Sequence, residues 1–283
     1  MPCATTSAGS TAERPTPVVS SHRWRRSPLT DGGIHIRPLA AQAEVRVGTD
    51  IASLAVSAAG PNGFSNQDIL VISHKVVSKA EGSTRLLSEV TPSGEAERIA
   101  AAQARDPRQV EVILNQSARV LREEHGVLIC VTHHGFVCAN AGVDESNSPA
   151  EDTVILLPAD PDSSARSIRA GIAAQTGRPA PAVVITDSFG RAWRIGQVDV
   201  AIGCAGLHPL DDWRDRADRD GRTLAATEIG IADAVAAAAD LARSKDSGQP
   251  LVLVSGLARF ITPEDGPGAA ALRRPADQDM FLR

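Results

Sequence analysis

From Ile34 onward the chain alternates short apolar runs with amphipathic stretches. IHIRPL at residues 34–39 sets apolar against polar positions with period two, as a half-buried strand does. Residues 51–59 predict a helix ended by GPNG. A buried strand follows at Ile69–Ile72, with His74, Lys75 and Lys79 just beyond it. Helices are expected at 95–105 and 110–124, the second carrying Val110, Ile113, Leu114, Ser117 and Leu121 along one face. Further strands are expected at Val127–Thr132 and in TVILLPAD at 153–160. Asp162 or Ser163 is placed to cap a helix running to about Gln175 by accepting its free amide hydrogens. PAVVIT at 181–186 and VDVAIGCAG at 198–206 read as strands, Leu224–Lys245 as one long alanine-rich helix, and PLVLVSG at 250–256 as a late strand. Strands and helices alternate without one regular βαβ period. The pattern predicts a mixed α/β (α+β) architecture with mixed sheets rather than a Rossmann fold or TIM barrel, and shows no internal repeat.

Composition narrows this picture. The 283 residues, 42% of them hydrophobic, are enough to bury a substantial core as one large domain or two smaller ones. With 3% aromatic residues and no tyrosine, that core must be built from Ala, Val, Ile and Leu. A net charge of −5 argues against an extended nucleic-acid surface while leaving room for a local basic pocket. No apolar run reaches the roughly 18 residues of a membrane span. Residues 1–33, rich in Ser, Thr and Pro, lack an apolar signal-peptide core, so a disordered leader and a cytoplasmic protein are expected. Gly and Pro rise again after Pro263, which predicts a weakly specified tail at 262–283. Cys3, Cys130, Cys138 and Cys204 form no CxxC pair, and the last three read as buried free thiols.

Two segments carry the candidate chemistry: FVCANAGVDESN at 136–147 and DSFGRAWRIGQ at 187–197. In each, a strand-like run feeds a polar segment holding glycine, an aspartate and small hydrogen-bonding residues. Carboxylates at such positions suit a hard divalent cation, and glycines let backbone amides approach phosphate oxygens. Asp144 and Asp187 are the principal candidates for a shared Mg²⁺ or Mn²⁺. For Asp144 the alternative is an Asx turn before Pro149. Asn147, Ser188 and Gly190 would complete the two loops. Asn140 either holds its loop or reaches a ligand, and His134 either binds phosphate or is structural. Arg191 and Arg194 are suited to bidentate contacts with phosphate or carboxylate, and Trp193 to a packing platform. Lys75 and Lys79 are either phosphate-neutralising lysines or a solvated pair. No GxxxxGK[ST] or well-placed GxGxxG motif accompanies them. The run at 210–224 holds five aspartates and four arginines, most simply a solvated face or intersubunit rim, with Asp212 as the candidate metal ligand. Glu228 and Asp233 fall within the expected late helix, where a buried acid would need a partner.

These segments give the chain a specific resemblance. KVVSKAEG at 75–82, HGFVCANAGVDESN at 134–147 and TDSFGRAWRIGQVDVAIGCAGLHPLDDW at 186–213 resemble the coenzyme F420-0:L-glutamate ligase (F420 gamma-glutamyl ligase) family over roughly Ile34–Leu257. TLAATEIGIADAVAAAADLARSK at 223–245 agrees more loosely. The resemblance implies a two-domain F420 gamma-glutamyl ligase-like fold, with a catalytic unit at 34–261 made of two intertwined α/β subdomains, and a homodimer. It implies GTP as co-substrate, Mg²⁺ or Mn²⁺, K⁺ as a further cation, and transfer of L-glutamate to the lactyl carboxylate of F420-0 or to its growing γ-glutamyl tail.

Against the family's common pattern, Ser83 replaces an arginine after KAEG, His133 another arginine, and Asp215 a glycine. Ala234 stands where the late helix usually carries glutamate, and Ser244 and Ser255 also depart from the usual residues. The expected reaction needs no covalent enzyme nucleophile. Two other readings stay open: an amide ligase for a different carboxylate or amine, and a binding protein that has lost turnover.

Overall fold

Ile69, Leu70, Val71 and Ile72 are all fully buried, because the strand that carries them is covered on both faces. The computed structural model describes residues 33–40, 44–243 and 248–281. In chain order the first elements are β1 (His35–Leu39), α1 (Ile51–Ala59), β2 (Ile69–Ser73), α2 (His74–Glu81), β3 (Thr84–Leu86) and α3 (Gly94–Gln103). Then come α4 (Pro107–Asn115), β4 (Ser117–Glu124), β5 (Val127–Thr132), β6 (Val137–Ala139), β7 (Thr153–Ile155) and α5 (Pro161–Thr176). The last are β8 (Ala182–Arg191), β9 (Arg194–Ala205), β10 (Leu210–Asp212), β11 (Glu228–Gly230), α6 (Ile231–Asp240) and β12 (Leu251–Ser255).

The main sheet has the order β1-β12-β2-β8-β9, with β2 and β8 parallel and every other neighbouring pair antiparallel. Period-two alternation divides its side chains between two apolar clusters. Leu70, Ile72, Val183, Ile185, Leu251 and Leu253 join α1, α2 and α5 on one face. Ile69, Val71, Ala182, Val184, Val252 and Val254 join α6 on the other. A third cluster unites α3, α4 and the antiparallel β4-β5-β6 sheet. The remaining strands form two-stranded ribbons, β3-β7 and β10-β11. This is a mixed α+β architecture with several sheets and no barrel among the described residues.

Several predicted elements change. The expected helix at 110–124 stops at Asn115, and Ser117–Glu124 becomes a strand paired with β5. His125 and Gly126, with φ of 55° and 75°, make the tight reversal that lets the two strands pair, which a continuing helix could not do. The helix expected from Leu224 starts only at Ile231. Upstream, Trp213 N–H donates to Thr227 O and Leu224 N–H to Arg216 O, drawing residues 213–227 into a doubled-back excursion. Glu228 therefore lies on a strand rather than a helix. Asp160, not Asp162 or Ser163, caps α5. Asp162 instead accepts the backbone N–H groups of Cys204, Ala269 and Ala270. DSFGRAWRIGQ is the β8–β9 hairpin itself rather than a loop after a strand. Trp193, near its tip, is 78% exposed and packs on one ring only among the described residues, Phe281, with ring centroids 5.1 Å apart. Residues 1–32, Ser244 and Lys245 lie outside the described residues. Among the described residues no helix is long and apolar enough to cross a membrane.

Candidate functional site

The two aspartate segments meet at the start of α2. That helix follows β2 directly, and Ser73 gives its first amides no side-chain cap, so they remain available to an anion. Lys75 Nζ lies 2.7 Å from Asp144 Oδ2 and also donates to Ser146 Oγ at 2.5 Å. The neighbouring His74, only 1% exposed, brings Nε2 to 3.2 Å from Asp187 Oδ1. That approach is too poorly aligned for a hydrogen bond, leaving Nε2 a buried nitrogen without one. Two carboxylates from distant segments thus contact consecutive residues of one helical turn.

Backbone pairing fixes both acids. Asp144 exchanges both backbone hydrogen bonds with Ile155 beside β7, at 3.0 and 2.8 Å. Its Oδ1 accepts from Ser146 N–H at 2.6 Å, so the Asx turn and the Lys75 pair coexist. Burial pushes the Asp144 carboxyl up, but the hydrogen bonds from Lys75 and Ser146 and the lysine charge outweigh it, leaving its pKa below the ordinary 3.8. Asp187 belongs to the β8 ladder opposite Val200, and its Oδ1 accepts from Ser188 N–H at 2.8 Å. Burial, with Asp187 and Cys130 nearby, pushes the Cys138 thiol up to about 12, so it stays protonated and inert. Lys79, one turn beyond Lys75, is half-buried; burial and then the Lys75 charge lower its pKa from 10.5.

The other candidates take different positions. Asn140 holds its loop: its Oδ1 accepts from Arg105 Nη1 at 3.0 Å and from Leu128 N–H at 3.3 Å. Asn147 takes the left-handed conformation, φ 57°, at the turn after Ser146. His134 donates from Nε2 to Pro158 O at 2.9 Å and stacks on Phe136, while its buried Nδ1 has no hydrogen-bond partner among the described residues. Arg191 spends its guanidinium on Ile195 O and Gly196 O within its own hairpin; Gly190 and Arg194 lie exposed nearby. Ser188 points away from Asp187, to the opposite face of β8, where its hydroxyl donates to Asp199.

Asp212 accepts three hydrogen bonds from Arg214, two from the guanidinium and one from the backbone N–H, which hold its carboxyl at about 2. Among the described residues no hydrogen bond or ion pair joins it to Asp144 or Asp187. Asp233 accepts the Ala201 N–H at 2.9 Å, and burial raises its pKa, so its partner is a backbone amide rather than a charge. Ala234 next to it faces solvent.

Sequence reasoning named His74 without giving it a role and passed over Asp199 and Arg243. Asp199 is 3% exposed and binds Thr186, Ser188 and Arg243. Its signal was legible: an aspartate inside the apolar VDVAIG run must find partners, because an unpaired buried charge is prohibitively costly.

Among the described residues no three acidic or imidazole side chains converge into a ready metal cage. Two carboxylates beside two lysines and an uncapped helix start have the chemistry of a phosphate- and cation-handling site. The chain matches the F420-0:gamma-glutamyl ligase family over residues 41–256. It is 43% identical over 240 residues to the coenzyme F420:L-glutamate ligase of Methanothermobacter thermautotrophicus, covering 84% of this chain and 94% of that protein. The enzymes of that name from Methanopyrus kandleri and Haloarcula marismortui are 40% and 41% identical, over 88% and 84% of this chain and 97% and 91% of their own lengths. The chain belongs to the F420-0:gamma-glutamyl ligase family.

Proposed function

We propose that this protein joins L-glutamate to the lactyl carboxylate of F420-0, and extends the γ-glutamyl tail, in a GTP-driven reaction. The observation that carries the reading is the contact of Asp144 and Asp187 with consecutive residues at the start of α2, beside Lys79. The names of the relatives support the substrates.

A carboxylate does not react with an amine at neutral pH, because its oxygen is a poor leaving group. In the proposed reaction a lactyl carboxylate oxygen attacks the γ-phosphorus of GTP and GDP departs, leaving an acyl phosphate. The glutamate amine then attacks the acyl carbon, inorganic phosphate leaves with the C–O bonding pair, and the amine loses a proton as the amide forms. Asp144 and Asp187 would hold the divalent cation, which when bound offsets charge between the phosphates. Lys75, Lys79 and the uncapped amides of α2 bind and orient phosphate oxygens. The protein's work is positioning and electrostatics, with no covalent intermediate on the chain.

Purified protein incubated with GTP, Mn²⁺, L-glutamate and F420-0 tests the reading: mass spectrometry should find glutamylated F420 and stoichiometric GDP. GDP formed only with another carboxylate–amine pair would redirect the substrate assignment, and saturable binding without product from any pair would overturn the activity. Ala234 is exposed, so the missing glutamate leaves no gap in the core.

A further inference from the structure

His74 buries an imidazole nitrogen, Nε2, that has no hydrogen bond among the described residues, on a side chain 1% exposed. It stands beside the chemistry, with Asp187 Oδ1 3.2 Å away. The other ring nitrogen, Nδ1, lies 3.3 Å from Ser78 Oγ, one turn along α2. Ser78 is fully buried, and among the described residues its hydroxyl has no other hydrogen-bond partner.

Those two contacts assign the ring proton. A serine hydroxyl holds one proton, and leaving a buried donor without an acceptor costs about 1–3 kcal/mol. Ser78 therefore donates to His74 Nδ1, and the neutral imidazole carries its own proton on Nε2, facing Asp187 Oδ1. The reverse tautomer would strand the Ser78 proton and set a nitrogen lone pair against a carboxylate oxygen. The Nε2–H lies off the line to Oδ1, but the outer torsions of histidine and aspartate are soft. Hydrogen bonds of this kind commonly tighten only when a ligand is bound.

The two oxygens of Asp187 are thereby divided. Oδ1 accepts the Ser188 N–H at 2.8 Å and faces His74, whereas Oδ2 has no hydrogen bond or ion pair among the described residues. We propose that His74 is a positioning residue: its Nε2–H, directed by Ser78, holds Oδ1 of Asp187 and leaves Oδ2 for the cation that accompanies GTP. Successive residues of one helical turn then fix the two carboxylates by different means, a neutral donor for Asp187 and the Lys75 charge for Asp144. Lys75 must give way before a cation takes Asp144 Oδ2, whereas His74 can stay on Asp187 throughout. The inference rests on the proposed use of a GTP-bound cation, and its test separates the two.

Long-range ¹H–¹⁵N correlation spectroscopy reads the form of the His74 ring in the metal-free protein, with His74→Gln identifying its signals. An Nε2–H ring is expected; any other form would overturn the proposal whatever the metal does. Mn²⁺ binding is then measured by electron paramagnetic resonance with GTP present and without F420-0 or glutamate, so that no turnover is needed. Parent protein that holds no Mn²⁺ with GTP would sink the functional reading and this inference with it. Given binding by the parent, His74→Leu, which fills space but has no donor, should weaken Mn²⁺ binding about 10- to 100-fold, the usual range for loss of a ligand-orienting partner. His74→Gln, whose amide NH₂ stands in for the Nε2–H donor, should recover most of that loss. Parent-like affinity in folded His74→Leu, or an equal loss in both variants, would overturn the positioning role while leaving the GTP–cation reading intact. If His74→Leu does not fold, Ser78→Ala decides. It removes the group that directs the ring, so the Nε2–H form should lose its dominance and Mn²⁺ affinity should fall; an unchanged ring form or an unchanged affinity would overturn the proposal.

Discussion

Replacing Lys75 by Met tests the contact on which the site is organised. The lysine side chain is 21% exposed and that of Asp144 36%, so the pair lies between the surface and interior regimes. Exposed ion pairs contribute about 0.2–1 kcal/mol, whereas removing one partner of a buried pair costs about 3–5 kcal/mol. A coupling of about 1–2 kcal/mol is therefore expected at pH 7 and low salt. Lys75→Met, Asp144→Asn and the double variant form the cycle, with ΔG of unfolding taken from urea titrations followed by circular dichroism. The folded-state pKa of Asp144 lies below its ordinary 3.8, so the stabilisation is fully present above that value and is lost as pH falls through the depressed folded value. The coupling should be flat from pH 8 to 5 and shrink only below about pH 4. Moderate salt should reduce it partly, because the pair is partly shielded from solvent. A coupling indistinguishable from zero at pH 7, or one that grows as pH falls from 5 to 3, would refute the electrostatic account of the Asp144 loop.

Three further outcomes are expected. Asp144→Ala and Asp187→Ala should each cut turnover at least 100-fold with the fold retained, and the double variant should lose less than the product of the two; parent-like activity of folded Asp187→Ala at limiting metal would remove Asp187 from the cation site. Ala234→Glu should change unfolding free energy by less than about 0.5 kcal/mol and leave the metal titration unchanged, because residue 234 faces solvent; a marked gain in metal affinity would show that the position reaches the site. Sedimentation over a wide concentration range should show a homodimer, favoured by the exposed Trp193, Ile195 and Phe281 of the hairpin region, and a fully active species monomeric at high concentration would rule it out.

The sequence was most legible where one physical constraint dominated. Ile69–Ile72 and PAVVIT could only be strands buried on both faces, and α1 matched its predicted limits because Asp50 caps it and Gly60 closes it. Reading failed where local pattern was overruled by pairing. Val110 to Leu114 does lie on a helix, but Ser117 to Glu124 has enough apolar residues to extend the same face on paper, and only the His125-Gly126 reversal makes it a strand. Alanines at 225–226 suggest helix, yet that stretch belongs to the excursion closed by Trp213 and Thr227. Asp144 and Asp187 were legible as candidates because an apolar run leads toward each. Asp199 was legible as a buried acid in an apolar run, but its cross-strand partner Ser188 is set by hairpin register, which spacing alone does not reveal.

On the proposed reading, the charge balance at α2 couples the entry of a phosphate ligand to that of its cation. Lys75 is already committed to Asp144, and Lys79 is held below its ordinary basicity by burial and by Lys75. A triphosphate arriving alone would bring its negative charge against Asp144 and Asp187 with one lysine already engaged. Each like-charge pair at 4 Å costs about 1 kcal/mol even in bulk water, and more in a partly buried site. A cation arriving alone would gain two carboxylates but compete with the Lys75 ammonium for one of them. Together the two ligands remove both conflicts: the cation offsets the carboxylates, and Lys75 is freed toward phosphate oxygen. On the proposed reading, nucleotide and divalent cation should therefore bind with positive coupling, each tightening the other by the same factor. A bare lysine patch would instead hold nucleotide equally well without metal. Titrating GTP with and without Mn²⁺ distinguishes the two, and equal GTP affinity in both titrations would show that the carboxylates do not share the phosphate's site.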